Sequence, residues 1–159
     1  MKRKEIKQLY EALKGLKLKD APDNVMVPVY KNLMLLKPIV DEIETQNQLI
    51  ADQNIDKNYN NAQAQYLSAL QKLRDAKVKN DATAIAEAED MLRLETELFK
   101  PIDIKTANNI QKQQLQVLGQ DVNVNLTTVP RKALFEFLQQ SGYEITGDKI
   151  VILLPIIKE

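Results

Sequence analysis

An acidic segment between two helical patterns is the first stretch whose residue types could do chemistry. Residues 52–58 match the opening of a calcium-binding EF-hand loop, which places oxygen ligands at its first, third and fifth positions. The loop also requires a glycine at position six and a bidentate glutamate at position twelve, where this sequence has Lys57 and Gln63. We therefore interpret the segment as a polar loop between helices and predict no metal site there.

A second candidate is a pair of carboxylates one helical turn apart. Glu87 and Asp90 have i, i+3 spacing and so lie on one face of a helix. The pair resembles the motifs with which all-α nucleotide pyrophosphohydrolases hold Mg²⁺, and such a site needs a second acidic cluster on a facing helix. Asp41, Glu42 and Glu44 are the nearest match, with Thr45 where a further acid is wanted. We interpret the pair as a solvated helix face and keep a Mg²⁺-dependent phosphohydrolase as the third hypothesis.

A third candidate is the order of helix, strand, helix and hairpin near the C-terminus, which resembles part of a winged-helix module. Residues 129–141 would be its recognition helix and 147–149 its wing tip. The helix offers Arg131 and Lys132 with two glutamines, but residues 101–159 carry six basic and six acidic side chains. We favour a structural α+β cap, and a DNA-binding regulator is the alternative function.

The composition removes most of the common catalytic chemistry. The 159-residue chain contains no histidine and no cysteine, which excludes Ser-His-Asp and Cys-His arrangements and zinc sites built on those ligands. Its four glycines are scattered and form no phosphate-binding loop. We predict a protein that is not an enzyme, with no catalytic residue, no cofactor and no bound metal.

Charge and hydropathy narrow the partners. The formal net charge is zero, and only residues 1–20 are basic, with seven Lys or Arg against three Asp or Glu. Nucleic acid is therefore disfavoured as a partner. The longest apolar stretch, 150–157, has eight residues including a proline, against about 20 needed to cross a bilayer. We expect a soluble protein with no membrane partner, located in the cytoplasm or, if phage-encoded, in the host cytoplasm or the virion.

Helical periodicity organises the first hundred residues. Residues 3–14 form a short amphipathic helix, and a heptad seam begins at Val29, with Pro28 in the first turn of its helix and Pro38 as a kink or restart. Two further seams predict a tight antiparallel hairpin of residues 57–79 against 81–98, with Asp81 as the N-cap of its second helix. A break over 51–58 separates the first seam from the second. An oligomeric coiled coil would show the same pattern, and we favour packing within one chain.

The pattern changes at Pro101. We predict strands over 102–104 and 122–126, helices over 107–118 and 130–141, and a β-hairpin formed by 143–145 and 150–154. The fold class is thus mainly α (α+β): a helical bundle with a coiled-coil-like hairpin over 1–100, and a small α+β module over 101–159 that ends in the β-hairpin.

Two segments, 12–19 and 95–104, resemble a family of small phage-encoded proteins of unknown function. The resemblance covers about a third of the chain, implies a phage or prophage origin and brings no catalytic residues with it. Together with the heptad seams and the apolar terminal segment, it leads us to expect a non-catalytic interaction or structural accessory protein. Its partner would be another protein, of the host or the virion, or a second copy of the chain.

Overall fold

The computed structural model describes residues 1–144 and 146–158, and it confirms a mainly helical fold with a small α+β part. Within those residues there are six α-helices, two short 3₁₀ turns and a sheet of two short strands. The elements are α1 (Arg3–Lys14), a 3₁₀ turn (Leu18–Asp20), α2 (Asp23–Asn54), α3 (Lys57–Lys79), α4 (Ala82–Leu118), β1 (Val129–Pro130), α5 (Arg131–Gln140), α6 (Gly147–Leu153), a 3₁₀ turn (Leu154–Ile156) and β2 (Ile157–Lys158). Among the described helices, none combines the length and apolarity that crossing a bilayer requires.

The chain forms two compact units. Unit 1 comprises Met1–Gln46 and Gln116–Glu159, and unit 2 comprises Asn47–Leu115. This division differs from the predicted one at residue 100, because α4 continues through Pro101. The predicted strand over 102–104 and the helix start at 107 are therefore wrong. A proline inside a helix removes one hydrogen bond, but the partly buried side of α4 continues beyond Pro101 through Ile102, Thr106 and Ile110.

Unit 1 holds a hydrophobic core to which α1, α2, α5, α6 and both 3₁₀ turns contribute. The predicted amphipathic helix is confirmed as α1, whose buried face is Ile6, Leu9 and Leu13. The seam of α2 is buried at Val29, Leu36, Val40 and Ile43. Pro28 and Pro38 both lie inside α2, so the helix begins before Pro28 and does not restart at Pro38. The core is completed by residues of β1, α5, α6 and the last 3₁₀ turn: Val129, Leu134, Phe137, Leu138, Leu153 and Ile156.

A fully buried asparagine ties an irregular segment to this core. Asn32 is 0% exposed, its Nδ2 donates to the Thr127 carbonyl and its Oδ1 accepts from the Thr127 N–H, both at 2.8 Å. The backbone of segment 122–128 is thus hydrogen-bonded at Thr127 to a side chain of α2. Residues 122–126, a predicted strand, do alternate between half-buried apolar side chains and exposed asparagines. They form no strand ladder, and their pairing is limited to the two hydrogen bonds between Val122 and Met1 and the adjacent Lys2–Asp121 bridge.

The predicted β-hairpin is wrong in position and type. Residues 150–154 belong to α6 and the following 3₁₀ turn, and the two-stranded sheet pairs β1 with β2 in parallel. The other predicted hairpin strand, 143–145, includes Ile145, which lies outside the described residues. A run that is apolar at every position has no period that separates strand from helix. Asp148 in the first turn of α6 and the buried Leu153 on its inner face favour the helix.

Unit 2 contains the predicted helical hairpin, which is confirmed. α3 and the first half of α4 run antiparallel, since Lys72 contacts Met91 while Tyr59 and Tyr66, earlier in α3, contact Phe99, later in α4. The turn has Asn80 in the left-handed conformation (φ 52°), and Asp81 Oδ1 accepts from the N–H groups of Thr83 and Ala84 at 3.1 Å each.

Candidate interaction site

An apolar groove of about 470 Å³ lies in unit 1 beside α1 and α6, which contact each other. It forms because the buried face of α1 packs into the core and leaves the neighbouring Ala12 at the surface edge. Half-buried Tyr143 and Ile152 lie across from it, and Leu118, the last residue of α4, completes the apolar lining. The volume lies within the range of sites that enclose a small ligand or a few side chains of a partner.

The charged lining of the groove is predominantly basic. The lining contains three lysines, Lys4, Lys7 and Lys149, and one acidic residue, Glu11. Lys7 lies 3.6 Å from Glu44 and Lys149 lies 3.8 Å from Glu144. Pairs this long and this exposed contribute little free energy, about 0–1 kcal/mol each, so neither glutamate binds its lysine strongly.

Lys149 is positioned by two further contacts. Its Nζ lies 4.8 Å from the centroid of the Tyr143 ring and donates to the Glu144 carbonyl at 3.0 Å. A cation over an aromatic face is held by the ring quadrupole. The arrangement places an ammonium group at the edge of apolar surface, which suits a ligand that carries a carboxylate next to an apolar body.

The EF-hand-like segment forms local helix contacts. Asp52 accepts from the Gln48 side-chain amide at 2.8 Å, and Asn54 Nδ2 donates to the Ile50 carbonyl at 2.8 Å. Asp56 is the N-cap of α3 and accepts from the Tyr59 N–H at 2.8 Å. These bonds explain the acidic and amide residues as helix-end chemistry. Among residues 1–144 and 146–158 there is no cluster of three or more acidic side chains placed to hold a metal ion.

The two acidic groups proposed to face each other lie in different units. Glu87 and Asp90 are exposed on α4 in unit 2, and Asp90 lies 3.6 Å from Arg93. The acids of α2 belong to unit 1 and form ion pairs there, Asp41 with Lys37, Glu42 with Arg3 and Glu44 with Lys7. The hydrogen bond to Asp41 and its negative charge raise the pKa of Lys37.

The wing tip predicted by the winged-helix hypothesis is absent at residues 147–149, because these residues begin α6. α5 matches the predicted recognition helix in its bounds and exposes Arg131 and Lys132. Lys132 is paired at 3.9 Å with Glu136 on the same helix. What remains is a short helix packed into the core of unit 1 through Leu134 and Leu138.

Sequence reasoning missed the groove. Tyr143 is recognisable as an amphipathic aromatic, but its relation to Lys149 depends on α6 being a helix rather than a strand. Lys149 lies in the first turn of α6, and its ammonium lies over the Tyr143 ring. Leu118 and Ala12 are distant in the sequence, and no local pattern links them. Comparisons of the chain with protein-family models, with curated proteins and with solved structures found no match.

Proposed function

We propose that this chain is a non-catalytic interaction protein that binds an acidic, amphipathic segment of another protein in the groove beside α1 and α6. The observation that carries the proposal is the combination of an apolar lining with three lysines and one glutamate. The absence of imidazole and thiol from the whole sequence supports binding over catalysis.

Charge complementarity selects the chemistry of the partner. An acidic residue flanked by leucine, isoleucine or phenylalanine would place its carboxylate near Lys149 or Lys4 and its apolar side chains against Tyr143 and Ile152. Such a segment buries apolar surface and satisfies its charge at the same time. A basic or strongly polar segment would do neither.

Peptide selection with a defined library tests the proposal. Selection on the immobilised protein should enrich acidic residues beside large apolar ones. The best peptide, followed by fluorescence anisotropy, should bind at least about tenfold more weakly to the double variant Lys4→Glu, Lys149→Glu, because two attractive contacts become repulsive. Binding should also weaken as salt is added.

Lys132→Glu is the matched control, since Lys132 is an exposed lysine on α5 outside the groove lining. It should leave peptide binding within about twofold of the unaltered protein, the size expected of a remote surface charge. Failure to enrich any peptide, or equal binding to the double variant, would contradict the proposal. Preferential binding of a fatty-acid probe over every peptide would also contradict it, by assigning the groove to a small amphiphile.

A phage or prophage origin is part of the same proposal, and it rests on the resemblance of residues 12–19 and 95–104 to small phage-encoded proteins. The accessory role would then be in the virion, in its assembly or on a host protein. The genes beside this one provide the test: neighbouring capsid or tail genes would support the origin, and a neighbourhood of housekeeping genes would contradict it.

A further inference from the structure

The exposed face of α4 in unit 2 carries an apolar stripe. Met91, Leu94, Leu98 and Pro101 follow steps of three, four and three and so lie along one side of the helix; we name them the α4 stripe. Leu94 and Leu98 are 55% and 63% exposed, and Met91 is 40% exposed. A row of large apolar side chains in water along a helix is the usual mark of an interface.

The stripe is separate from the seam that joins the two helices of the hairpin. That seam uses Ala88, Leu92 and Phe99 of α4, which are buried or half-buried. Lys72 of α3 lies 3.6 Å from the Met91 sulfur, so the stripe begins at the edge of the hairpin. The hairpin therefore fills its own seam and leaves the stripe beside it uncovered.

Charges continue the stripe at both ends with the same spacing. Glu87 lies four residues before Met91, and Lys105 lies four residues after Pro101. Both side chains are exposed, and neither forms an ion pair with another residue of the described ranges 1–144 and 146–158. Along this face of the helix, one acidic residue is followed by four apolar residues and then by one basic residue.

This order of side chains is complementary to the same order in a second copy that runs in the opposite direction. If a second α4 lies antiparallel on the first, with a twofold axis between Leu94 and Leu98, Leu94 meets Leu98 of the second copy. Met91 then meets Pro101, and Glu87 meets Lys105, at each end of the stripe. A parallel arrangement would instead bring like charges together at both ends, so the charges select the antiparallel one.

We propose that two copies of this chain associate through the α4 stripe as an antiparallel helix pair, with Glu87–Lys105 ion pairs between copies fixing the register. The proposal is independent of the groove in unit 1. Glu97 flanks the stripe next to Leu98 and comes near its own counterpart across the twofold axis, which opposes association. The interface is small, so we expect a reversible dimer with a dissociation constant on the order of 10 µM.

Sedimentation equilibrium of the full chain over a wide concentration range tests the association. The unaltered protein should shift from monomer to dimer as concentration rises. Leu98→Glu should weaken dimerisation by at least about 100-fold, because it places two carboxylates in the centre of the interface. Leu67→Glu is the matched control: Leu67 is 52% exposed and lies on the side of α3 away from the buried Ala69, so its replacement should leave dimerisation unchanged.

Charge reversal tests the register. Glu87→Lys and Lys105→Glu should each weaken the dimer by about tenfold, because each creates two like-charge contacts per dimer. The double variant Glu87→Lys, Lys105→Glu should restore the affinity to within about twofold, since the pairs re-form with exchanged signs. Both residues are exposed, and circular dichroism verifies that the helices are unchanged.

Three results would each overturn the proposal: a monomer at every concentration, dimerisation of Leu98→Glu equal to that of the unaltered protein, or a double charge variant that remains as weak as the single ones. The groove is tested separately, since Lys4→Glu, Lys149→Glu should change peptide binding and leave the sedimentation behaviour unchanged. Failure of one proposal is therefore distinguishable from failure of the other.

Discussion

Units 1 and 2 are both helical, yet they bury very different side chains. The large side chains that are fully buried, such as Ile6, Leu36 and Leu134, all belong to unit 1. The buried residues of unit 2 are Leu73 and three alanines. Alanine lets two helices approach closely but removes little apolar surface from water. Unit 1 is thus stabilised by the burial of large side chains, while the interior of unit 2 is built mainly from small ones.

Truncating one leucine in each unit is the change that should separate them most. Leu36→Ala, at a site with 0% exposure, should lower the free energy of unfolding by about 3–5 kcal/mol, because a rigid core leaves a cavity. Leu73→Ala, at 9% exposure in the thinner hairpin, should cost about 1–3 kcal/mol, since less surface is lost and the helices can close in. Denaturant unfolding measures both.

Leu154→Ala is the control for these truncations. Leu154 is more than half exposed, so its loss should change the free energy of unfolding by no more than about 0.5 kcal/mol. Equal losses for Leu36→Ala and Leu73→Ala would remove the contrast between the units.

Removing the Asn32 side chain should have the next largest effect. Asn32→Ala leaves the N–H and the carbonyl of Thr127 without the partner that each has on α2. We expect a loss of about 2–3 kcal/mol, together with faster hydrogen exchange of the Thr127 amide. Both readouts concern unit 1 alone.

Asn32→Asp separates the two hydrogen bonds. It keeps the acceptor for the Thr127 N–H but replaces the donor to the Thr127 carbonyl with a second oxygen. The Thr127 amide should therefore stay protected from exchange while stability falls. Loss of protection in Asn32→Asp, or full stability of Asn32→Ala, would show that this contact does not hold the segment.

The smallest predicted effect is a titration in unit 2. Tyr59 donates to Asp103 at 3.0 Å, and burial, then this hydrogen bond, then the negative charge of Asp103 raise the pKa of Tyr59. The neutral phenol is favoured in the folded state, so its contribution is fully present below the ordinary tyrosine pKa of about 10 and is lost as pH rises through the raised value.

Ultraviolet absorbance of the unaltered protein minus that of Tyr59→Phe isolates this titration from the other four tyrosines. Asp103→Asn should move the Tyr59 pKa back towards its ordinary value, because the charge is removed. An unchanged difference spectrum in Asp103→Asn would contradict the assignment of part of the shift to Asp103.

The sequence predicts the helices well where periodicity and end signals agree. α1, α3 and α5 match their predicted bounds closely, and Asp81 and Asn80 form the expected turn between α3 and α4. Prediction fails where one local signal points the wrong way. Pro101 reads as a helix end but lies inside α4, and the residues that begin at Ile150 read as a strand but form the end of α6.

The groove and Asn32 could not be predicted, for a different reason. Leu33, four residues after Val29 on the α2 seam, is half-buried. Its neighbour Asn32 is the fully buried residue, because Asn32 meets a segment 95 residues away. The groove likewise depends on elements that are distant in the sequence, from α1, the end of α4 and α6. The α4 stripe, in contrast, follows from the local spacing of apolar residues, and the exposure of their side chains then identifies it as a surface feature.

The tight turn at the tip of the unit 2 hairpin has a practical consequence. Asn80 ends one helix and Asp81 begins the next, and all residues from Lys77 to Thr83 are exposed. A flexible glycine-rich insert between Asn80 and Asp81 would leave the left-handed residue and the capping carboxylate each attached to its own helix. That position is therefore suited to carrying an epitope or a dye-labelling tag while both chain ends stay as they are.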